Sequence, residues 1–152
     1  MTKDDLIPSS MVVAFSVVGD VREMHPIVRD EIYRIGYEAI RNACMHSGAS
    51  QLDVELRYAQ DLVLRVSDNG GGIDPVIADR GKDGHFGLQG MRERAARIGG
   101  NLTLGSSSNS GTEIKLVITG DIVFRKATAI HRTLFTKIKV LLKRMGHASD
   151  VD

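Results

Sequence analysis

The stretch "VSDNGGGIDP", Val66 to Pro75, sets an aspartate at the end of an apolar run and three glycines just behind it. Side chains alternate along a strand, so Asp68 would share a face with Leu62, Leu64 and Val66. An ionised carboxylate on an apolar face needs a partner or a ligand. At a strand end it can accept a hydrogen bond from an exocyclic amine, and Gly70 and Gly72 let backbone and ligand come close. Asp-Asn-Gly is also common turn chemistry, and on this stretch alone both readings stand. A second polar pair is Glu38 and Asn42, four residues apart and therefore stacked on one helical face. A carboxylate and an amide oxygen are hard ligands that suit magnesium carrying a nucleotide phosphate; an exposed polar helix face is the plain alternative. The third group is "GHFGLQGMRERA", Gly84 to Ala95, where Gly84, Gly87 and Gly90 precede or enter a helix. Helix N-termini favour phosphate. Glycine inside a helix costs about 1 kcal/mol relative to alanine, so Gly87 and Gly90 suggest a backbone with another task, with loop-end glycines as the alternative. Gly111-Thr112 at a strand start means little alone.

Other nucleotide and metal motifs fail. The chain has no Gly-Lys-Ser/Thr for a P-loop, Pro75 breaks G-x-G-x-x-G, and Gly70 and Gly72 stand where an EF-hand needs oxygen ligands. Cys44 is the sole cysteine, so no intrachain disulfide or thiolate zinc cluster is possible.

The elements that must position these groups follow from periodicity. "MVVAFSVVGD" reads as a strand and turn. From Pro26 to Ser47, Ile32, Ile35, Ala39 and Ala43 recur at helical spacing, with Ser47-Gly48 as the stop. "LDVELRY" and "LVLRVSD" alternate as two strands joined by a hairpin at "AQD". Residues 69 to 90 hold seven of the 16 glycines in a long irregular segment of the kind that is functional or mobile. A helix is expected from Phe86 to Ile98, closed by Gly99-Gly100, and then two strands, "NLTLGS" and "TEIKLVIT".

The 152 residues, 42% apolar and 26% charged, predict one domain with a real core. Net charge is +1, which gives no overall pull toward nucleic acid or membrane. Charge is uneven: residues 1 to 121 hold 13 Lys/Arg against 17 Asp/Glu, and residues 122 to 152 hold 7 against 2. The basic tail is amphipathic from Ala129 to Met145, with Ile130, Leu134, Ile138, Leu141 and Met145 in one stripe, broadened by Phe135 and Leu142. It could lie on a membrane, pair with another helix, or pack on this domain; packing on the domain is expected over membrane contact. No signal peptide or transmembrane span is read, which predicts a cytoplasmic location.

In this order the motifs resemble the ATP-binding catalytic domain of sensor histidine kinases, in the GHKL superfamily with gyrase-type and chaperone-type ATPases. "EIYRIGYEAIRNACMHSGAS" looks like the N box, "DNGGGI" like the first glycine box and "GHFGLQGMRERAARIGG" like the second. The last has the form of the subfamily that drives helix-turn-helix response regulators, and "SGTEIKLVI" looks like the closing strand motif.

The resemblance implies an α/β Bergerat fold, a two-layer sandwich with a mixed sheet and helices on one face. It divides the chain into a flexible lead at 1–9, an ATP-binding domain at 10–120 and a basic helical extension at 121–152. It implies ATP and Mg2+ as cofactors. Asp68 would contact the adenine amino group, Asn42 would ligate the magnesium, and Glu38 would be the catalytic base or polarising group. His46, Gly70, Gly72, Ile73, Gly87, Leu88, Gly90, Met91 and Thr112 would complete the ATP site, with residues 74–86 as its lid. Implied partners are a dimerisation and phosphoacceptor domain and a response regulator, with no direct nucleic-acid contact; a membrane anchor on a parent kinase stays open.

Two departures stand out. Met45 occupies a position where many relatives carry a basic residue. None of His25, His46, His85 and His131 fits a phosphoacceptor, so the acceptor is expected on a separate or missing domain. Alternative functions are an ATP-gated binding module without turnover, and a serine kinase of the anti-sigma type.

Overall fold

A computed structural model describes residues 7–72, 87–107, 110–125 and 129–146. Strand β1 (Val12–Val18) leads to helix α1 (Pro26–His46), then strands β2 (Gln51–Tyr58) and β3 (Leu62–Asp68). Helix α2 (Leu88–Arg97), strands β4 (Asn101–Ser107) and β5 (Gly111–Ile118), a single helical turn α3 (Gly120–Val123) and helix α4 (Ala129–Gly146) follow.

The strands form one sheet in the order β1-β2-β3-β5-β4. β1 runs parallel to β2, because α1 intervenes between them; the other neighbours are antiparallel. The sheet is therefore mixed, as the family resemblance implies. Its two faces differ in chemistry. Leu52, Val54, Leu62, Leu64, Val66, Ile114, Leu116 and Ile118 are buried on the helix side. Gln51, Asp53 and Arg57 alternate with them on β2 and are exposed.

Helix α1 begins at Pro26, whose missing N–H is no loss in a first turn. It buries Val28, Ile32, Ile35, Ala39 and Ala43 on the sheet. Ser47 caps it without leaving αR geometry, and Gly48 then turns the chain at φ +62°. Helix α2 buries Leu88, Met91 and Ala95 at spacings of three and four. It is tied to α1 by Arg94 and Glu31, 3.2 Å apart. It starts two residues later and ends one earlier than the periodicity predicts.

Two features depart from what the sequence leads one to expect. Turn α3 returns Val123 and Phe124 to the core, where Phe124 stacks on Tyr58 with ring centroids 6.0 Å apart and Arg22 lies 4.0 Å over its ring. These core residues fall beyond residue 120. The second feature corrects an expectation: α4 is a helix, yet its side chains from Thr136 to Arg144 are all exposed. Over those residues it does not pack on the domain. Among the described residues no helix is long and apolar enough to cross a membrane.

Candidate functional site

Asp68 is the last residue of β3, opposite Leu52 of β2 and Thr112 of β5. The strand's alternation turns its side chain to the helix side, with Leu64 and Val66, and leaves it 8% exposed. Its Oδ1 accepts a hydrogen bond from the Gly70 N–H at 2.8 Å. Burial pushes the carboxyl above the ordinary carboxylate range, while backbone hydrogen bonds from Gly70 and Thr112 pull it down; burial wins. A buried, polarisable acceptor thus sits in the sheet interior with two backbone donors fixing its orientation.

Helix α1 supplies the opposite wall. Ala39, Asn42, Ala43 and His46 fall at i, i+3, i+4 and i+7, one helical face. With Ser47, Val66, Asp68, Thr112 and Ile114 they line one cleft. Ala39 and Ala43 are small, yet the cleft as it stands has a free volume of about 10 Å³, that of about one water. Asn42 and Thr112 are buried at 7% and 6% exposure. Few polar groups on apolar walls is the usual make-up of a small-molecule site.

Residues that sequence reasoning passed over hold this geometry in place. Asn69 Oδ1 accepts the N–H groups of Ser50 and Gln51 at 3.0 and 2.9 Å, and its Nδ2 donates to Ser50 Oγ at 3.0 Å. The Gly71 N–H donates to the Ser47 carbonyl at 3.0 Å. The glycine turn after Asp68 is thereby bound to the loop after α1, which sets Asp68 at a fixed distance from Asn42. Gly70 is required by this approach: a Cβ there would collide with the Ser47 carbonyl and lie 2.9 Å from Asp68 Oδ1. The signal for Asn69 lies in "DNG" itself, whose amide is typical turn chemistry.

One turn of α1 before Asn42, Glu38 faces a second depression, lined by Tyr33, Arg34, Tyr37, Gly87, Gly90, Met91 and Arg94. Glu38 is within 3.7 Å of Arg41. Gly87 precedes α2 in a left-handed conformation, φ +54°, and a Cβ there would come within 2.7 Å of Glu38 Oε1. The first bond of this turn runs from the Met91 N–H to the Gly87 carbonyl. The N–H groups of Leu88, Gln89 and Gly90 therefore precede the intrahelical ladder and are the helix's anion-directed donors.

The predicted residues thus separate into groups. Asn42, His46, Asp68 and Thr112 share the cleft, and Glu38, Gly87, Gly90 and Met91 the neighbouring depression. Gly70 and Gly72 shape the turn, Gly72 at φ +79°. Leu88 is 3% exposed and its side chain belongs to the core, so its backbone N–H is what it can offer a ligand. Ile73 and the expected lid at 74–86 lie outside the described residues. Tyr33, Tyr37, Arg34 and Arg94 were not singled out from the sequence; Tyr33 and Tyr37 stack at 6.5 Å, the i, i+4 spacing that could have marked them.

Magnesium fits this donor set in one manner. Among the described residues no cluster of three or more His, Cys, Asp or Glu could cage a metal. Asn42 offers a single buried hard oxygen. An ion with one protein ligand, the rest from phosphates and water, matches magnesium's reluctance to dehydrate.

Residues 27–121 match the family described as histidine kinase-, DNA gyrase B-, and HSP90-like ATPase. "Sensor protein VraS" of Staphylococcus haemolyticus (strain JCSC1435) is 36% identical over 117 residues, 75% of this chain and 33% of that protein. The protein of the same name from Staphylococcus aureus (strain COL) is 35% identical over the same length. The chain therefore covers about a third of these relatives' length. The histidine kinase domain of the Erythrobacter litoralis EL346 blue-light activated histidine kinase superposes with a TM-score of 0.60 at 21% identity, covering 74% of this chain and 52% of that one. It shares the fold. On the strength of the matched span, the chain belongs to the histidine kinase-, DNA gyrase B-, and HSP90-like ATPase family.

Proposed function

We propose that this domain binds ATP with magnesium and passes the γ-phosphate to a histidine on a dimerisation domain, in a sensor kinase that signals to a response regulator. The observation that carries the reading is the buried Asp68 carboxylate in one cleft with Asn42 and Thr112. The adenine amino group donates to a lone pair of the Asp68 carboxylate that the Gly70 and Thr112 N–H groups leave over, and the base lies between Ala39–Ala43 and the strand residues Val66 and Ile114. Thr112 lies beside the base, directly or through water.

Asn42 holds the magnesium, which neutralises phosphate charge when bound. Phosphoryl transfer depends on positioning and charge neutralisation. The N–H groups at the start of α2 face the phosphates, with Gly87 and Gly90 removing side-chain bulk. Glu38 stands across from them, where a carboxylate can accept a proton from an incoming imidazole or hold it in line. His46 lines the cleft with Asp68, and Met91 lines the depression with Glu38.

Incubation of the chain with γ-labelled ATP, magnesium and a separately produced dimerisation domain of a related kinase tests this. Acid-labile, alkali-stable label on that domain is expected. ATP binding without any transfer favours the second reading, an ATP-gated binding module. Met45, 56% exposed where many relatives carry a cation, supports that alternative, since it removes a phosphate contact. The "GMRER" form of the second glycine box favours the histidine-kinase branch over an anti-sigma serine kinase.

A further inference from the structure

Among the described residues, none of helix α4 lines the nucleotide cleft or the depression beside it, and its pattern has its own chemistry. Ile138, Leu141 and Leu142 are 45%, 58% and 61% exposed. At 3.6 residues per turn they fall within one arc of about 100°. By sequence spacing Ile130, Leu134, Phe135 and Met145 extend the same stripe along the helix. Cations border both margins: Lys137 and Arg144 stand beside Leu141, and Lys139 and Lys143 lie beyond Leu142. Val140, 47% exposed, lies on the far side. From Ile122 to Ser149 the chain contains no Asp or Glu.

We propose that α4 is an interfacial helix that lies flat on an anionic lipid surface, its apolar stripe at the headgroup–acyl boundary and its lysines and arginine against anionic headgroups. Two margins of one sign suit a plane of opposite sign. They do not suit a second copy of the helix, because pairing would set cation against cation along both seams. The long stems of Lys137, Lys143 and Arg144 let their charges reach the headgroups while the stripe is immersed. The 18-residue helix has no apolar span able to cross a bilayer, so it rests on the surface.

Sedimentation of the full chain with vesicles tests this, using phosphatidylcholine alone and phosphatidylcholine with about 30% phosphatidylglycerol, a content that sets up the negative surface potential basic segments sense. The chain is expected to pellet with the anionic vesicles, not with the neutral ones, and to be released by high salt. Lys137→Gln/Lys143→Gln should weaken partitioning about 25-fold, a factor of about five per cation. Ile138→Gln/Leu141→Gln should abolish it. Both variants should bind ATP like the parent, which shows that the domain is folded. No pelleting with either vesicle, equal pelleting with both, or an unchanged double-lysine variant overturns the proposal. So does a concentration-dependent dimer without lipid that Ile138→Gln/Leu141→Gln dissolves, which assigns the stripe to a second copy.

Discussion

Replacing Asp68 by asparagine should separate two properties that most buried-site mutations lose together. In the native chain Oδ1 accepts the Gly70 N–H at 2.8 Å and the Thr112 N–H also bonds the carboxylate, whose remaining lone pairs are left for the adenine amine. Asparagine has one oxygen. Held by the Gly70 and Thr112 N–H groups, that oxygen leaves the NH2 toward the adenine NH2, donor against donor. The lost bond is charge-assisted, worth about 1.5–3 kcal/mol, so ATP affinity should fall by about 10- to 150-fold. Stability should move the other way. Burial raises the Asp68 carboxyl above its ordinary value of 3.8, so the folded chain holds this proton more tightly than the unfolded chain. Stability linked to Asp68 is therefore fully present below that ordinary value and declines as pH rises through the raised one. The substituted amide has no charge to bury, so at neutral pH the Asp68→Asn variant should unfold at equal or higher urea, and this part of the decline should vanish. Calorimetric titration with magnesium-ATP and urea unfolding between pH 4 and 8 read both. ATP affinity within about threefold of the parent would refute the adenine contact, a threefold change being under 1 kcal/mol. A lower urea midpoint at neutral pH would refute the account of the buried charge.

Asn69→Ala removes three side-chain hydrogen bonds at an exposed turn and should cost about 1–2 kcal/mol in urea unfolding, with ATP affinity falling several-fold as Asp68 loses its fixed spacing from Asn42. Gly90→Ala is a second probe: a Cβ there meets nothing within 4 Å, so the helix should gain about 1 kcal/mol while affinity for ATP, though not for adenosine, falls. Equal loss for adenosine and ATP would remove Gly90 from the phosphate side. Glu38→Gln should lower label transfer about 10²- to 10⁴-fold with ATP affinity nearly unchanged, as measured by single-turnover transfer and titration.

The site was legible where a residue broke the rule of its element. Asp68 stood on an apolar strand face and Asn42 beside an apolar helix stripe, and both are buried in one cleft. The strands followed from alternation and α1 from helical spacing, while the mixed sheet was what the family resemblance implied. Asn69 stayed hidden because its bonds reach residues 18 and 19 positions away in sequence, while turn propensity is a local property. Val123 and Phe124 were missed because a single helical turn leaves no periodicity to read. The environment of α4 was misjudged for a related reason: an apolar stripe shows that something covers it, not what.

Calorimetric titration of the unaltered chain with ATP and with GTP, in magnesium, bears most directly on Asp68 as the adenine acceptor. Guanine carries an oxygen where adenine carries the amine, so Asp68 would meet an acceptor and repel it. The expected result is saturable ATP binding with GTP weaker by tenfold or more, about 1.4 kcal/mol. No ATP binding, or equal affinity for the two bases, would contradict the account.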